Sequence, residues 1–197
     1  MAWFIADTHF NHDNIIKYCN RPFSNVDEMN KYIIKQWNSV VNEDDLVYHL
    51  GDFALQSDKA IVSNLVQLLN GNIILILGNH DRWGKQKFRD CGFIEVYKKL
   101  ELDNYILSHR PVKNLEDSKV NIHGHLHGKD NELNKDKYIN VSCEVVNYKP
   151  IWINLHRRLI LCIFIQLQHL KSSMMNMVIR LIVDVLDIII ILKTLIG

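Results

Sequence analysis

Five short apolar runs, each ending in residues that can bind or transfer charge, constrain this chain more than any other feature. The sharpest is NIILILGNHDRW. Ile73 to Leu77 are pure hydrocarbon, Gly78 follows, and an amide, an imidazole and a carboxylate then stand side by side at Asn79, His80 and Asp81. The other runs are AWFIA, reaching Asp7 and His9; DLVYHL, reaching Gly51 and Asp52; NYIL, reaching Ser108 and His109; and KVNIHG, opening into His125 and His127. Together with YINVSCEVVNY, these runs read as strands. Between them lie helical patterns: HDNIIKYC, a segment from Ser24, and Ser57 to Asn70 closed by Gly71. In the second of these, Ser24 is the expected N-cap, Asp27 and Glu28 fill the first turn, and Val26, Met29, Ile33, Trp37, Val40 and Val41 recur at helical spacing. Strands alternating with helices predict an α/β fold.

In such folds functional groups collect at the carboxyl ends of strands, where loops open over a rigid base, so the five ends are expected to converge. Asp7, His9, Asp52, Asn79, His109, His125 and His127 offer nitrogen and oxygen donors and no thiolate, a set suited to Mn²⁺, Fe or Zn²⁺. Seven donors are too many for one ion with an open position and suit two ions sharing a bridging carboxylate. In extended backbone the first and third residues of D-x-H and H-x-H would point to one side and grip an ion together. Gly51 and Gly78 are expected to let the backbone turn tightly beside the ions. His49 and His123, within strands, read as satisfied core or supporting histidines, and Trp3 and Trp37 as core. Asp81 reads equally as a partner that orients His80 or as a surface residue of the turn.

The motifs DTH, GD, GNHD, SH and GHLH, in that order, resemble those of the calcineurin-like metallophosphoesterases, over Met1 to about Pro150. ADTHFNHDNIIKYCNRPF, VYHLGDF, SHRP and NIHGHLHG are most similar to small single-domain phage and bacterial members. The resemblance implies a four-layer α/β/β/α sandwich, two mixed β-sheets flanked by helices. It implies that Asp7, His9, Asp52 and His127 hold one divalent ion and Asp52, Asn79, His109 and His125 a second, with Asp52 bridging. Manganese is the first expectation, iron or zinc the alternatives. His80 then faces the substrate phosphate as a proton donor or charge stabiliser, and His12 and Arg110, close to ligands in sequence, are expected to contact phosphate. The implied activity is hydrolysis of a phosphoester by a metal-activated water. A phosphodiester of nucleotide or nucleic-acid type is the first substrate class, and phosphomonoesterase or protein phosphatase activity the second. A noncatalytic binding scaffold on the same fold is the rival from a different class. The short spacings from His80 to His109 and on to His125 leave no room for a capping insertion, which predicts an open site.

Composition decides less. The formal net charge of +1 supplies no bulk attraction to nucleic acid or an anionic membrane. Cys19, Cys91, Cys143 and Cys162 show no CxxC spacing, and MAWFIADTHF lacks the features of an export signal, so reduced thiols and a cytoplasmic location are expected. Residues 1–155 are expected to form the metallophosphoesterase domain. Residues 156–197 read as an apolar helical extension, with His156 and His169 unrelated to the site. In that extension five basic residues face two acidic ones, and Asn176, Arg180, Asp184 and Asp187 form one narrow polar stripe. Its longest apolar runs, LILCIFI and IIIIL, are too short for a spanning helix. A helix of this kind needs a cover, from the body's own core, a second copy of the chain in a homo-oligomer or a lipid surface, unless the extension is not a selected sequence at all.

Overall fold

The hydrocarbon run from Ile73 is a central strand of a parallel array. The computed structural model describes residues 2–55, 58–129 and 132–155. In chain order the elements are β1 (Ala2–Ile5), α1 (Asp13–Tyr18), α2 (Val26–Asn38), β2 (Leu46–His49), α3 (Lys59–Leu68), β3 (Asn72–Ile76), α4 (Lys85–Arg89), β4 (Glu95–Tyr97), β5 (Lys99–Leu102), β6 (Tyr105–Ser108), β7 (Val120–His123), β8 (Tyr138–Asn140) and β9 (Ile151–Ile153). One sheet has the order β4-β3-β2-β1-β9 and the other β5-β6-β7-β8. Both are mixed: β9 runs antiparallel to β1, and β5 antiparallel to β6. Two mixed sheets with helices make the α/β sandwich that the resemblance implies.

The core lies on the first sheet. Ile15 of α1, Met29, Ile33 and Trp37 of α2, Val62, Leu65 and Val66 of α3 and Phe88 of α4 pack with Ile5, Val47, Ile73, Leu75 and Val96. Trp37 is fully buried and donates from Nε1 to the Asn70 carbonyl at 2.9 Å, so its indole is both packed and satisfied. Truncating it to Ala would cost about 3–5 kcal/mol.

Helix boundaries differ from the sequence expectation by local chemistry. The N-cap of α2 is Asn25, whose side chain accepts the Glu28 amide at 2.9 Å, while the Glu28 carboxylate reaches back to the Ser24 amide at 2.7 Å. This is a capping box displaced by one residue from the Ser24 cap. In α3 the cap is Asp58, and the helix ends at Leu68 with Leu69 as C-cap. Gly71, at φ 96°, makes the following turn into β3 instead. YINVSCEVVNY is a strand only as far as Asn140. Beyond it Val141 to Cys143 brackets Ala6, with Ala6 donating to the Val141 carbonyl and Cys143 to that of Ala6, which ties the second sheet to the first. The chain then turns, with Asn147 and Tyr148 at positive φ. The extension expected over 156–197, with its oligomeric contact, lies outside the described residues. Among the described residues no helix is long and apolar enough to cross a membrane.

Candidate metal centre

Each expected site residue follows the end of a parallel strand: Asp7 and His9 after β1, Asp52 after β2, Asn79 and His80 after β3, His109 after β6, His125 and His127 after β7. Bonds between the sheets bring them together. The Asp7 carboxylate accepts the His125 amide through Oδ2 at 2.8 Å, and His109 Nδ1 lies 2.8 Å from the Leu50 carbonyl. Among the expected residues two triads result, Asp7 with His9 and His127, and Asp52 with His109 and His125, each with its ligating atoms within 4.8 Å of one another; a third such group, Cys19 with His127 and Glu144, adjoins the first.

The D-x-H and H-x-H pairs are brought together by a backbone other than the extended one expected. Asp7 has φ 58° and His9 49°, His125 72° and His127 46°, and Asp52 joins them at 55°. Left-handed backbone at non-glycine residues costs on the order of 1–2 kcal/mol each and persists only where surrounding bonds hold it. Here it curls the chain so that alternate side chains face inward, while the intervening Thr8 turns away to meet His49. Gly51, at φ 96°, needs its glycine for the turn. Gly78 needs it for close approach, since a Cβ there would collide with the Asp52 carboxylate and amide.

Donors and acceptors in the site fail to pair in the way a metal centre would require. The Leu50 carbonyl can only accept, so His109 donates from Nδ1. Nε2 then faces the Asn79 carbonyl oxygen at 3.1 Å and the Asp52 carboxylate at 3.3 Å. In the neutral ring those are three acceptors turned toward one point, which only a cation or a proton reconciles. Asp7 Oδ1 and His9 Nε2 are buried without any hydrogen-bond partner. They lie 3.9 Å apart, and His127 Nε2 is 3.7 Å from the same oxygen. Buried polar atoms are ordinarily satisfied, so this geometry fits ions and the donor set fits Mn²⁺, Fe or Zn²⁺.

The electrostatics agree. Burial pushes the Asp7 carboxyl up to about 6, against the pull of His109 and His127. Burial also opposes charge on Asp52, yet the hydrogen bond and charge of His109 outweigh it and hold Asp52 below the usual carboxylate range. His127 is raised to about 10: its burial is overcome by Cys19, Glu144 and Asp7. Burial drives His9 well below its ordinary value, and burial with the neighbouring His109 takes His125 down to about 4. Burial thus disfavours charge on Asp7, His9 and His125, while neighbouring opposite charges and hydrogen bonds favour it on Asp52 and His127.

His80 is half-exposed at the rim, its amide bonded to Asp52 Oδ1 at 2.8 Å and its ring 5.4 Å from His9. His12 Nδ1 lies 3.4 Å from His9 Nδ1, and Arg110 reaches Asn79 Oδ1 at 3.4 Å. All ten expected site residues therefore gather in one region. Asp81 is buried, and its carboxylate accepts the amides of Asp52 at 2.7 Å, Gly78 at 2.8 Å and Phe53 at 3.2 Å, clamping two ligand loops. His49 is the satisfied histidine expected: Thr8 donates to the Phe53 carbonyl and receives from His49 Nε2 at 2.9 Å, while His49 Nδ1 accepts the Gly51 amide. Two residues escaped the sequence reading. Glu144 lies 3.0 Å from His127 Nδ1 with both oxygens, and Arg21, almost wholly buried, bonds Glu144 and the carbonyls of Asp7 and Thr8.

Known proteins share this arrangement of sequence. An uncharacterized protein of Methanocaldococcus jannaschii is 49% identical over 168 residues, 80% of this chain and 90% of the relative. The gene 66 protein of Mycobacterium phage L5 is 37% identical over 82 residues, 41% of this chain and 39% of the phage protein. A crystal structure of a protein of unknown function from Aquifex aeolicus superposes with a TM-score of 0.59 at 30% identity, covering 77% of this chain and 94% of that one. The calcineurin-like phosphoesterase family matches residues 2–173, the span that carries both triads and the loops that hold them, and the chain belongs to that family.

Proposed function

We propose that this chain is a dinuclear metal-dependent phosphoesterase acting on phosphodiesters of nucleotide type, with residues 1–155 carrying the whole activity. The observation that carries the reading is the pair of triads, the first with Asp7 Oδ1 and His9 Nε2 buried and without hydrogen-bond partners. Asp7, His9, Asp52 and His127 would hold one ion and Asp52, Asn79, His109 and His125 the other. When bound, such ions neutralise the nonbridging oxygens of a phosphoester and make a water nucleophilic at neutral pH.

The chain's own residues supply the rest. His80, half-exposed and anchored through its backbone to Asp52, donates a hydrogen bond or proton to the phosphoryl oxygens or the departing alkoxide. Arg110 and His12 flank the same opening and orient the phosphate group. Asp81 keeps the loops of Asp52 and Gly78 in register, so the nucleophile and phosphate meet without rearrangement. Asn79, His80 and Arg110 are exposed, an open rim that a substituted phosphoester can approach, and the diester is our first choice of substrate.

The test is hydrolysis of paired aryl phosphodiester and phosphomonoester substrates by metal-stripped protein resupplied with Mn²⁺, beside Asp52→Asn. The expected result is metal-dependent turnover, faster on the diester and lost in Asp52→Asn. Two bound ions with no turnover of either ester would overturn the enzymatic reading in favour of a binding scaffold.

A further inference from the structure

We propose that Glu144 and Arg21 are positioning residues that set the affinity of one ion site alone, that of Asp7, His9 and His127. The inference rests on the dinuclear reading and assigns the two sites different supports.

His127 meets Glu144 with Nδ1 at 3.0 Å from both carboxylate oxygens. A carboxylate can only accept there, so Nδ1 carries the hydrogen and Nε2 is the nitrogen turned toward Asp7. Glu144 thus fixes both the tautomer and the tilt of the ring, and its charge makes Nε2 a stronger donor to a cation. Glu144 is fixed in turn: Arg21 Nε and Nη2 both reach Oε1 at 2.8 Å.

Arg21 does more than neutralise Glu144. Nη2 donates to the Asp7 carbonyl at 2.6 Å and Nη1 to the Thr8 carbonyl at 2.9 Å, the two consecutive carbonyls of the left-handed curl that presents Asp7 and His9. One planar guanidinium therefore holds Asp7 by its own carbonyl, His9 by way of the preceding Thr8 carbonyl, and His127 through Glu144. Lysine, a single point donor, cannot span these contacts. The Tyr148 ring, 5.7 Å from the guanidinium carbon, and Met29 Sδ, 3.3 Å from Nη1, close the remaining sides.

The other triad lacks this brace. His109 is fixed by the neutral Leu50 carbonyl, and the amides of Asp52 and Gly78 are held by Asp81. Arg21 and Glu144 touch none of Asp52, His109 or His125 in these bonds. A change at Glu144 should therefore weaken one site and spare the other, whereas a merely structural ion pair would lower stability and leave the ratio of the two affinities unchanged.

The experiment is titration of the metal-stripped full chain with Mn²⁺ by calorimetry, with bound metal counted after desalting and thermal unfolding recorded for each protein. The wild type should bind two ions. Glu144→Gln should lose affinity at one site by about 10–100-fold and keep the other. Its Mn²⁺ activation curve should move to higher Mn²⁺ by the same factor. Arg21→Lys, which keeps the charge without the fork, should shift the same site by a smaller factor, and it decides the matter if Glu144→Gln does not fold. Two unchanged affinities in a folded variant, or equal weakening of both sites, would overturn the proposal with the dinuclear reading intact. A wild type that binds no ion would overturn both.

Discussion

Asp7 and His125, separated by most of the folded chain, are joined by one hydrogen bond: the carboxylate of the first accepts the amide of the second at 2.8 Å through Oδ2, leaving Oδ1 buried and alone. The bond spends one oxygen of Asp7 on uniting the two sheets and reserves the other for the centre between them.

That reserved oxygen makes Asp7 a liability without metal. Its folded pKa of about 6 exceeds its ordinary value of 3.8, so its contribution to stability is fully present below 3.8 and is lost as pH rises through 6. At pH 7.5 the metal-free protein should gain roughly 2–3 kcal/mol from Asp7→Asn, while losing one bound ion. Urea unfolding of stripped wild type and variant, with and without Mn²⁺, measures this; a variant less stable than the wild type without metal would contradict it.

His80→Ala should keep both ions, because its side chain lies outside both triads. Its kcat should fall by about 10²–10⁴ on diesters with alkoxide leaving groups, and by less with nitrophenolate, which needs no proton. Equal losses on both leaving groups would assign His80 to the phosphoryl oxygens instead.

Asp81→Asn should act through the main chain. The carboxylate accepts three amides, and an asparagine amide turned toward any of them would leave a buried donor unmet, at a cost of about 1–3 kcal/mol. The Asp52 loop would shift with it, so lower thermal stability should accompany weaker binding of both ions. Wild-type affinities in Asp81→Asn would refute the clamp.

His49 predicts the acid limb of stability in the metal-free protein. Complete burial lowers its pKa to about 3, so the folded state holds it neutral. Its contribution is present above its unfolded value near 6.5 and is lost as pH falls toward 3, by up to about 1.4 kcal/mol per pH unit. Asp7 titrates with the opposite sign over part of this range, so the comparison is the readout: as pH drops from 7 to 4 the wild type should lose stability relative to His49→Gln.

Which residues gather at the candidate site was legible because strand-end motifs pair chemistry with a hydrocarbon approach. What holds those side chains in place was not legible. Glu144 falls within YINVSCEVVNY, whose alternating β-branched residues read as strand, but the bridge to Ala6 ends that strand at Asn140 and turns Glu144 inward. Arg21 stands alone between Asn20 and Pro22, with no partner near it in sequence; Glu144 lies 123 residues away. Asp81 was noticed, yet its targets are main-chain amides, which carry no signature in side-chain identity. The left-handed curls were missed for the same reason: D-x-H looks the same in extended and curled backbone.

Those curls also order events in time. Positive φ is costly even at Asp and His, and the bonds that hold it at Asp7 include one from His125, 118 residues away, beside a nearer one from Arg21. Contacts between distant segments form late, after the loop entropy between them has been lost. The candidate site is therefore expected to assemble late, and divalent-ion uptake followed during refolding, beside a probe of sheet docking, would test that order.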